Sequence, residues 1–222
     1  MNVLIFGATG MVGQSVLREC LLDPQVLSII SVGRSATQKT HAKFHEHVVS
    51  DVTDLSSIKE ELASVDACFF CLGVSSVGMN EEKYRAITYD LTLSIANTLV
   101  AIQPQMSFIY VTGASTDSTE QGKTMWARVK GKTENDLLKL PFKAAYMFRP
   151  GAILPKNGIK SKTKLYQYLY VALKPLFLLM GKMYPNSVIN SDQIGRAMIN
   201  VARDGYSKKL MESVDIRLAS RI

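Results

Sequence analysis

Short apolar runs alternate with stretches in which apolar residues recur every three or four positions, and this alternation repeats along most of the chain. Val3–Phe6 is the first run. Gly7, Gly10 and Gly13 follow it at three-residue intervals, and a helical pattern then opens through Val12, Val16, Leu17, Leu21 and Leu22. Leu27–Val32, Phe44–Val49, Val65–Leu72, Met106–Thr112 and Ala144–Arg149 read as five further strands. Between them lie a short helix over Leu55–Leu62, with Asp54 as its cap, and a long one over Asn80–Ile102. Ile87, Leu91, Ile95 and Leu99 recur every four residues in the long helix. Another helix, around Val129, Leu137 and Leu138, has a buried face, and Gly131 permits close packing there. Asn190–Ala202 is a helix capped by Asn190 or Ser191, and Leu210–Ile222 is a short strand or turn with a last helix.

Strands that are apolar on both faces and alternate with helices imply a doubly wound parallel sheet, a Rossmann-type α/β fold. The chain has 222 residues, a length that fits one such domain with 151–190 as a substrate-side insertion. Ligands of these sheets sit beyond the carboxyl ends of the strands. The order strand, glycine turn, helix at residues 3–22 suits a phosphate. Glycine lets backbone approach the ligand, and the helix start offers free N–H groups and a positive dipole end. The spacing here is G-x-x-G-x-x-G, with Thr9 adding a hydroxyl. Gly33-Arg34-Ser35 ends the second strand, where an acid would bind a ribose 2′-hydroxyl and an arginine accommodates a 2′-phosphate. Arg34 therefore favours NADP over NAD. Asp51 falls where the third strand end approaches an adenine, and Gly73 allows backbone to pass close to a cofactor.

These segments carry a resemblance. GATGMVG (7–13), VGRS (32–35), DVTD (51–54), CLG (71–73), VTGAS (111–115), VKGKTE (129–134) and FRPGAILP (148–155) together resemble the extended and atypical short-chain dehydrogenase/reductase superfamily, including its small epimerase-like members. The resemblance implies a cofactor site over Gly7, Thr9, Gly10, Met11, Val12, Gly13, Arg34, Ser35, Asp51, Val52, Leu72, Gly73, Lys130, Pro150, Gly151 and Ile153. It implies an NAD(P) cofactor, which Arg34 narrows to NADP(H) in preference to a still possible NAD(H), and a small-molecule substrate. It also implies a serine that holds the substrate oxygen, matched by Ser115, and a Tyr-x-x-x-Lys pair whose lysine is matched by Lys130. Glu134, four residues further on, is spaced to pair with Lys130. The tyrosine position holds Trp126, whose indole N–H donates a hydrogen bond but does not titrate. Tyr84, Tyr89 and Tyr110 have no lysine four residues on. Two readings follow: an oxidoreductase in which another group or water supplies the proton, or an NADP(H)-binding regulator without turnover.

Composition adds limits. Hydrophobic residues make up 47% and charged residues 20%, as in ordinary globular proteins. Residues 1–111 carry seven basic against eleven acidic residues, whereas 112–222 carry nineteen against eight. A basic half attracts anions, but no nucleic-acid-binding signature accompanies it, so no nucleic-acid partner is expected. Cys20, Cys68 and Cys71 are few and odd in number, which suits a reducing compartment. Cys68 and Cys71 are spaced to face opposite sides of a strand and read as core residues. His41, His45 and His47 read as surface histidines, and no metal site is expected. No secretory pattern precedes the first strand, and the protein is expected in the cytoplasm. Lys156, Lys160, Lys162 and Lys164 form a basic loop ahead of a largely apolar stretch, Leu165–Met183. Lys174-Pro175 interrupts that stretch, short of the ~20 apolar residues of a membrane span. It reads as a helical cover for the substrate side or as a homodimer contact, and peripheral membrane contact is the lesser reading.

Overall fold

The computed structural model describes residues 1–159 and 188–222. Lys160, Lys162, Lys164, Leu165–Met183 and most of the 151–190 insertion lie outside the described residues. Strands β1 (Asn2–Phe6), β2 (Ser28–Gly33), β3 (Phe44–Val48), β4 (Ala67–Phe70), β5 (Ser107–Val111) and β6 (Ala144–Arg149) follow the apolar runs. They alternate with helices α1 (Met11–Leu22), α2 (Lys59–Leu62), α3 (Glu81–Arg85), α4 (Leu91–Ile102) and α5 (Met125–Leu137). A two-stranded pair follows, β7 (Ala152–Leu154) with β8 (Val188–Asn190), then α6 (Ser191–Asp204), β9 (Leu210–Glu212) and α7 (Ser213–Ala219). The main sheet has seven strands in the order β3-β2-β1-β4-β5-β6-β9, parallel throughout, which is a Rossmann-like α/β fold. Parallel pairing brings every carboxyl end to one edge, and strand order reverses between β1 and β4.

Strand alternation divides the core. Val3, Ile5, Ile29, Phe69, Ile109 and Phe148 pack towards α1, α6 and α7. Leu4, Phe6, Ile30, Val32, Phe70 and Phe108 pack towards the face that carries Leu62, Ile95, Leu99 and Leu137. Cys68 belongs to the second cluster, while Cys71 packs against the first, so the two thiols face opposite sides. Asn190 caps α6 through a capping box with Gln193.

Three elements depart from the sequence reading. The helix over Asn80–Ile102 contains a π-helical turn, Ala86–Asp90, between α3 and α4. The wider turn shifts the phase of the helix. Tyr84 before the turn, Thr88 within it, and Ile95 and Leu99 after it are buried, and Ile87 is left 41% exposed. The segment after β6 is not only a turn, because Ala152–Leu154 pairs with Val188–Asn190 in parallel. Leu27, at the expected start of the second strand, is exposed, and pairing of β2 begins at Ser28.

Candidate functional site

Residues that follow the carboxyl ends of the central strands converge on one edge of the sheet. Gly7, at the end of β1, has φ +80, which a side chain rarely adopts. A Cβ there would lie 2.8 Å from the Cys71 carbonyl carbon and 2.9 Å from the Leu72 nitrogen, so the ends of β1 and β4 touch at the reversal of strand order. A Cβ on Gly13 would lie 2.0 Å from the Gly7 carbonyl oxygen, so α1 packs directly onto the turn. Gly10 differs. Its φ is −75, and a Cβ would meet only the Gly7 oxygen at 3.3 Å. The protein interior therefore makes the lesser demand for glycine at this position. The Gly10 N–H donates to the Gly7 carbonyl at 2.9 Å and closes the turn. Helix α1 then starts at Met11 and Val12 with no side-chain cap and no acid in its first turn. Gln14 donates to the Thr9 carbonyl at 3.0 Å and steadies the loop.

Outward from this turn, Arg34 and Ser35 are exposed beyond β2. Val49 N–H donates to the Gly33 carbonyl and ties the ends of β2 and β3 together. Asp51 is exposed, and its carboxylate accepts from the Thr53 N–H and hydroxyl, which holds it below the usual carboxylate range. Val52 is buried beside Leu55 in the core. Asp54 accepts from the Ser56 N–H and hydroxyl ahead of a single 3-10 turn, Ser56–Ile58, whereas α2 itself starts at Lys59 with no side-chain cap, so Asp54 does not cap it as expected. Gly73 is exposed, and nothing lies within 4 Å of a Cβ built on it. The Cys71 thiol is pushed up to about 12 by burial, so it supplies no thiolate near neutral pH.

At the β5 and β6 ends the contacts tighten. Thr112 N–H donates to the Phe148 carbonyl at 2.8 Å, and Ala114 N–H donates to the Pro150 carbonyl at 2.9 Å. Gly151 N–H donates to the Ser213 hydroxyl at 2.8 Å. Ile153 lies in β7 against Ile189. Lys130 projects from α5 to donate to the Thr112 carbonyl at 2.9 Å, and its Nζ lies 3.8 Å from a Cβ built on Gly113. Ser115 is exposed on the loop after β5 with φ 67, left-handed for a side-chain-bearing residue and worth roughly 1 kcal/mol of strain. Trp126 is half-buried in the first turn of α5, one helical turn before Lys130. The packing role of Gly131 is clear, since a Cβ on it would collide with the Asp117 carbonyl oxygen at 1.7 Å.

The expected pairing of Lys130 with Glu134 is corrected. Glu134 is fully buried and is held by the Arg149 guanidinium through Nε and Nη2, and by the Thr112 hydroxyl at 2.5 Å. Arg149 also donates to the Ser118 hydroxyl and approaches Glu212 at 3.7 Å. The acid four residues after Lys130 is thus committed across the sheet to β6. Burial lowers the Lys130 ammonium from 10.5 to about 8, and the nearby Glu134 charge only partly offsets this.

A family model described as "NAD dependent epimerase/dehydratase family" matches residues 3–133, from the first strand through the α5 lysine. The chain belongs to this family. Relatives include the protein FMP52, mitochondrial, of Candida albicans, 25% identical over 97% of this chain and 94% of that one. Its namesake from Emericella nidulans is 28% identical over 90% and 86%. Among solved structures, a short-chain dehydrogenase/reductase of Saccharomyces cerevisiae superposes with a TM-score of 0.66 at 16% identity, covering 96% of this chain and 95% of that one. The Bordetella bronchiseptica enzyme WbmF, solved with NAD+, superposes with a TM-score of 0.67 at 15% identity, covering 98% and 76%. The family and these folds agree with the superfamily resemblance. The fungal names overturn the expectation of a cytoplasmic protein. That expectation rested on cysteine usage and a missing secretory pattern, and neither separates the cytosol from the interior of an organelle.

Proposed function

We propose that the protein binds NADP(H) across the glycine turn and exchanges a hydride between it and an oxygen-bearing carbon of a small molecule. The observation that carries this reading is the division of labour among the three glycines. Gly7 makes the turn, Gly13 lets the helix pack, and Gly10 leaves the outer face of the turn bare before an uncapped helix start. That is the division a dinucleotide pyrophosphate needs. The residues fit the cofactor. Met11 and Val12 would present N–H groups to the pyrophosphate, and Leu72 and Gly73 would line the passage beyond β4. Pro150, Gly151 and Ile153 would flank the nicotinamide, and Lys130 would meet its ribose. The reduced cofactor would supply the hydride. Ser115, held in its left-handed conformation, would aim a hydroxyl at the substrate oxygen.

Preference for NADP(H) rests on Arg34. It is exposed and charged, it has no partner among the described residues, and no acid follows β2 in its place. A 2′-phosphate would meet that guanidinium and the Ser35 hydroxyl. Arg34→Ala is expected to weaken NADPH binding about tenfold to a hundredfold, and NADH binding by less than about threefold, in calorimetric titrations. Equal losses for both cofactors would remove the basis for the preference.

A second reading has its own observation. Trp126 lies four residues before Lys130, the spacing of the tyrosine in the superfamily it resembles, and an indole moves no proton. In that reading the protein holds NADP(H) as a regulator without turning it over.

A further inference from the structure

Among the described residues, the tyrosines offer no replacement acid near Lys130. Tyr84 and Tyr110 are sealed in the core, and burial raises both phenols. Tyr89 donates to Asp136 at 2.8 Å on the outer face of α5, and Tyr146 accepts from the Tyr206 N–H beside Gly205. What does stand at the end of β5 is an amine. We propose that Lys130 is itself the proton donor of this site, its ammonium delivering a proton directly to the substrate oxygen in the step that a tyrosine performs in the proteins this chain resembles.

Geometry supports this assignment. Lys130 Nζ makes one hydrogen bond to protein, to the Thr112 carbonyl, which leaves two of its three N–H donors for ligands. It lies beside Thr112 and Gly113, with the Pro150 carbonyl oxygen 3.9 Å from the same Cβ built on Gly113, at the strand end that Ser115 follows. The charged groups around it are committed elsewhere. Glu134, on the same helix, is clamped by Arg149 from β6 and by the Thr112 hydroxyl from the β5 end, and Glu212 at the start of α7 faces Arg149. A partly buried ammonium without an ion pair gives up its proton near neutral pH, and its lowering to about 8 is the result. The chemistry balances. A bound reduced nicotinamide would supply the hydride to the carbonyl carbon, and Nζ would give its proton to the carbonyl oxygen. An O–H bond forms, an N–H bond breaks, its electron pair stays on nitrogen, and Lys130 regains a proton from water.

The proposal rests on the hydride-transfer reading above, and the test separates the two. Competitive acetylation of the full chain with acetic anhydride at a series of pH values, read on the Lys130 peptide by mass spectrometry, reports the ionisation of this amine without any turnover. Half-reaction near pH 8 is expected, and an ordinary lysine profile overturns the proposal. NADPH oxidation by 9,10-phenanthrenequinone is then followed from about pH 6 to about pH 10. The rate should fall about tenfold per pH unit above the acetylation midpoint. Lys130→Arg, which keeps a cation at the ribose but does not titrate, should bind NADPH within about tenfold of the parent by calorimetry and, at saturating NADPH, should lose the quinone rate by about a hundredfold or more. A rate and alkaline fall that survive in Lys130→Arg overturn the lysine assignment alone. Absence of NADPH binding in the parent chain overturns the underlying reading, and NADPH binding without quinone turnover overturns the proposed acid.

Discussion

Gly13→Ala is expected to cost the protein both its cofactor and a large part of its stability. The added methyl would sit 2.0 Å from the Gly7 carbonyl oxygen and 2.9 Å from the Ala8 Cα, against about 3.5 Å for comfortable contact. Both neighbours are backbone, so relief requires α1 to move off the turn or the turn to open. Either change breaks the Gly10-to-Gly7 hydrogen bond that shapes the loop. An overpacked site of this kind costs about 1–3 kcal/mol, to be read as a lower urea midpoint with unchanged slope. NADPH affinity should fall about a hundredfold or more in the same preparation, because backbone donors placed by the turn carry the pyrophosphate. Gly73→Ala is the matched control: nothing lies within 4 Å of its Cβ, so stability should stay within about 0.5 kcal/mol. A Gly13→Ala protein as stable as Gly73→Ala would mean that α1 does not press on the turn as described.

The second large effect concerns Glu134 and Arg149. Glu134 is 0% exposed and Arg149 8% exposed, and each answers the other's charge. Arg149→Met leaves a buried carboxylate with only the Thr112 hydroxyl and should destabilise the fold by about 3–5 kcal/mol. The paired change Glu134→Leu with Arg149→Met removes both charges and should recover most of that loss in urea unfolding. The pair also braces Thr112, whose carbonyl holds Lys130. The single variant should therefore weaken NADPH binding even at low temperature, where it remains folded. Additive losses in the double variant would show that the pair is not coupled.

How far the sequence spoke follows from the same residues. The sheet was legible because buried parallel strands are apolar on both faces, and β1, β4, β5 and β6 are written as such runs. The three-residue strands β7 and β8 left no periodic signal, and they pair across many intervening residues. The π turn at Ala86–Asp90 was invisible because a single extra residue leaves composition unchanged while shifting phase, and Ile87 pays for it with exposure. At the candidate site, glycine spacing pointed to the β1–α1 turn, whereas Lys130, which meets the end of β5, was picked out by the family resemblance and not by spacing. Helical spacing misled at Glu134. Spacing of four residues favours a pair with Lys130, but the partner that wins is Arg149, fifteen positions away and on a neighbouring strand. Thr112 was passed over for a similar reason, because its role is carried by a backbone carbonyl and a hydroxyl whose partners lie on other elements.

The most direct measurement uses Trp126, the only tryptophan in the chain. NADPH and then NADH are titrated while indole emission and its transfer to the reduced nicotinamide are followed. Saturable quenching with sensitised nicotinamide emission is expected, at a lower concentration for NADPH than for NADH. Neither quenching nor transfer with either cofactor, together with a flat calorimetric titration, would contradict it and leave the glycine turn as a purely structural feature of the fold.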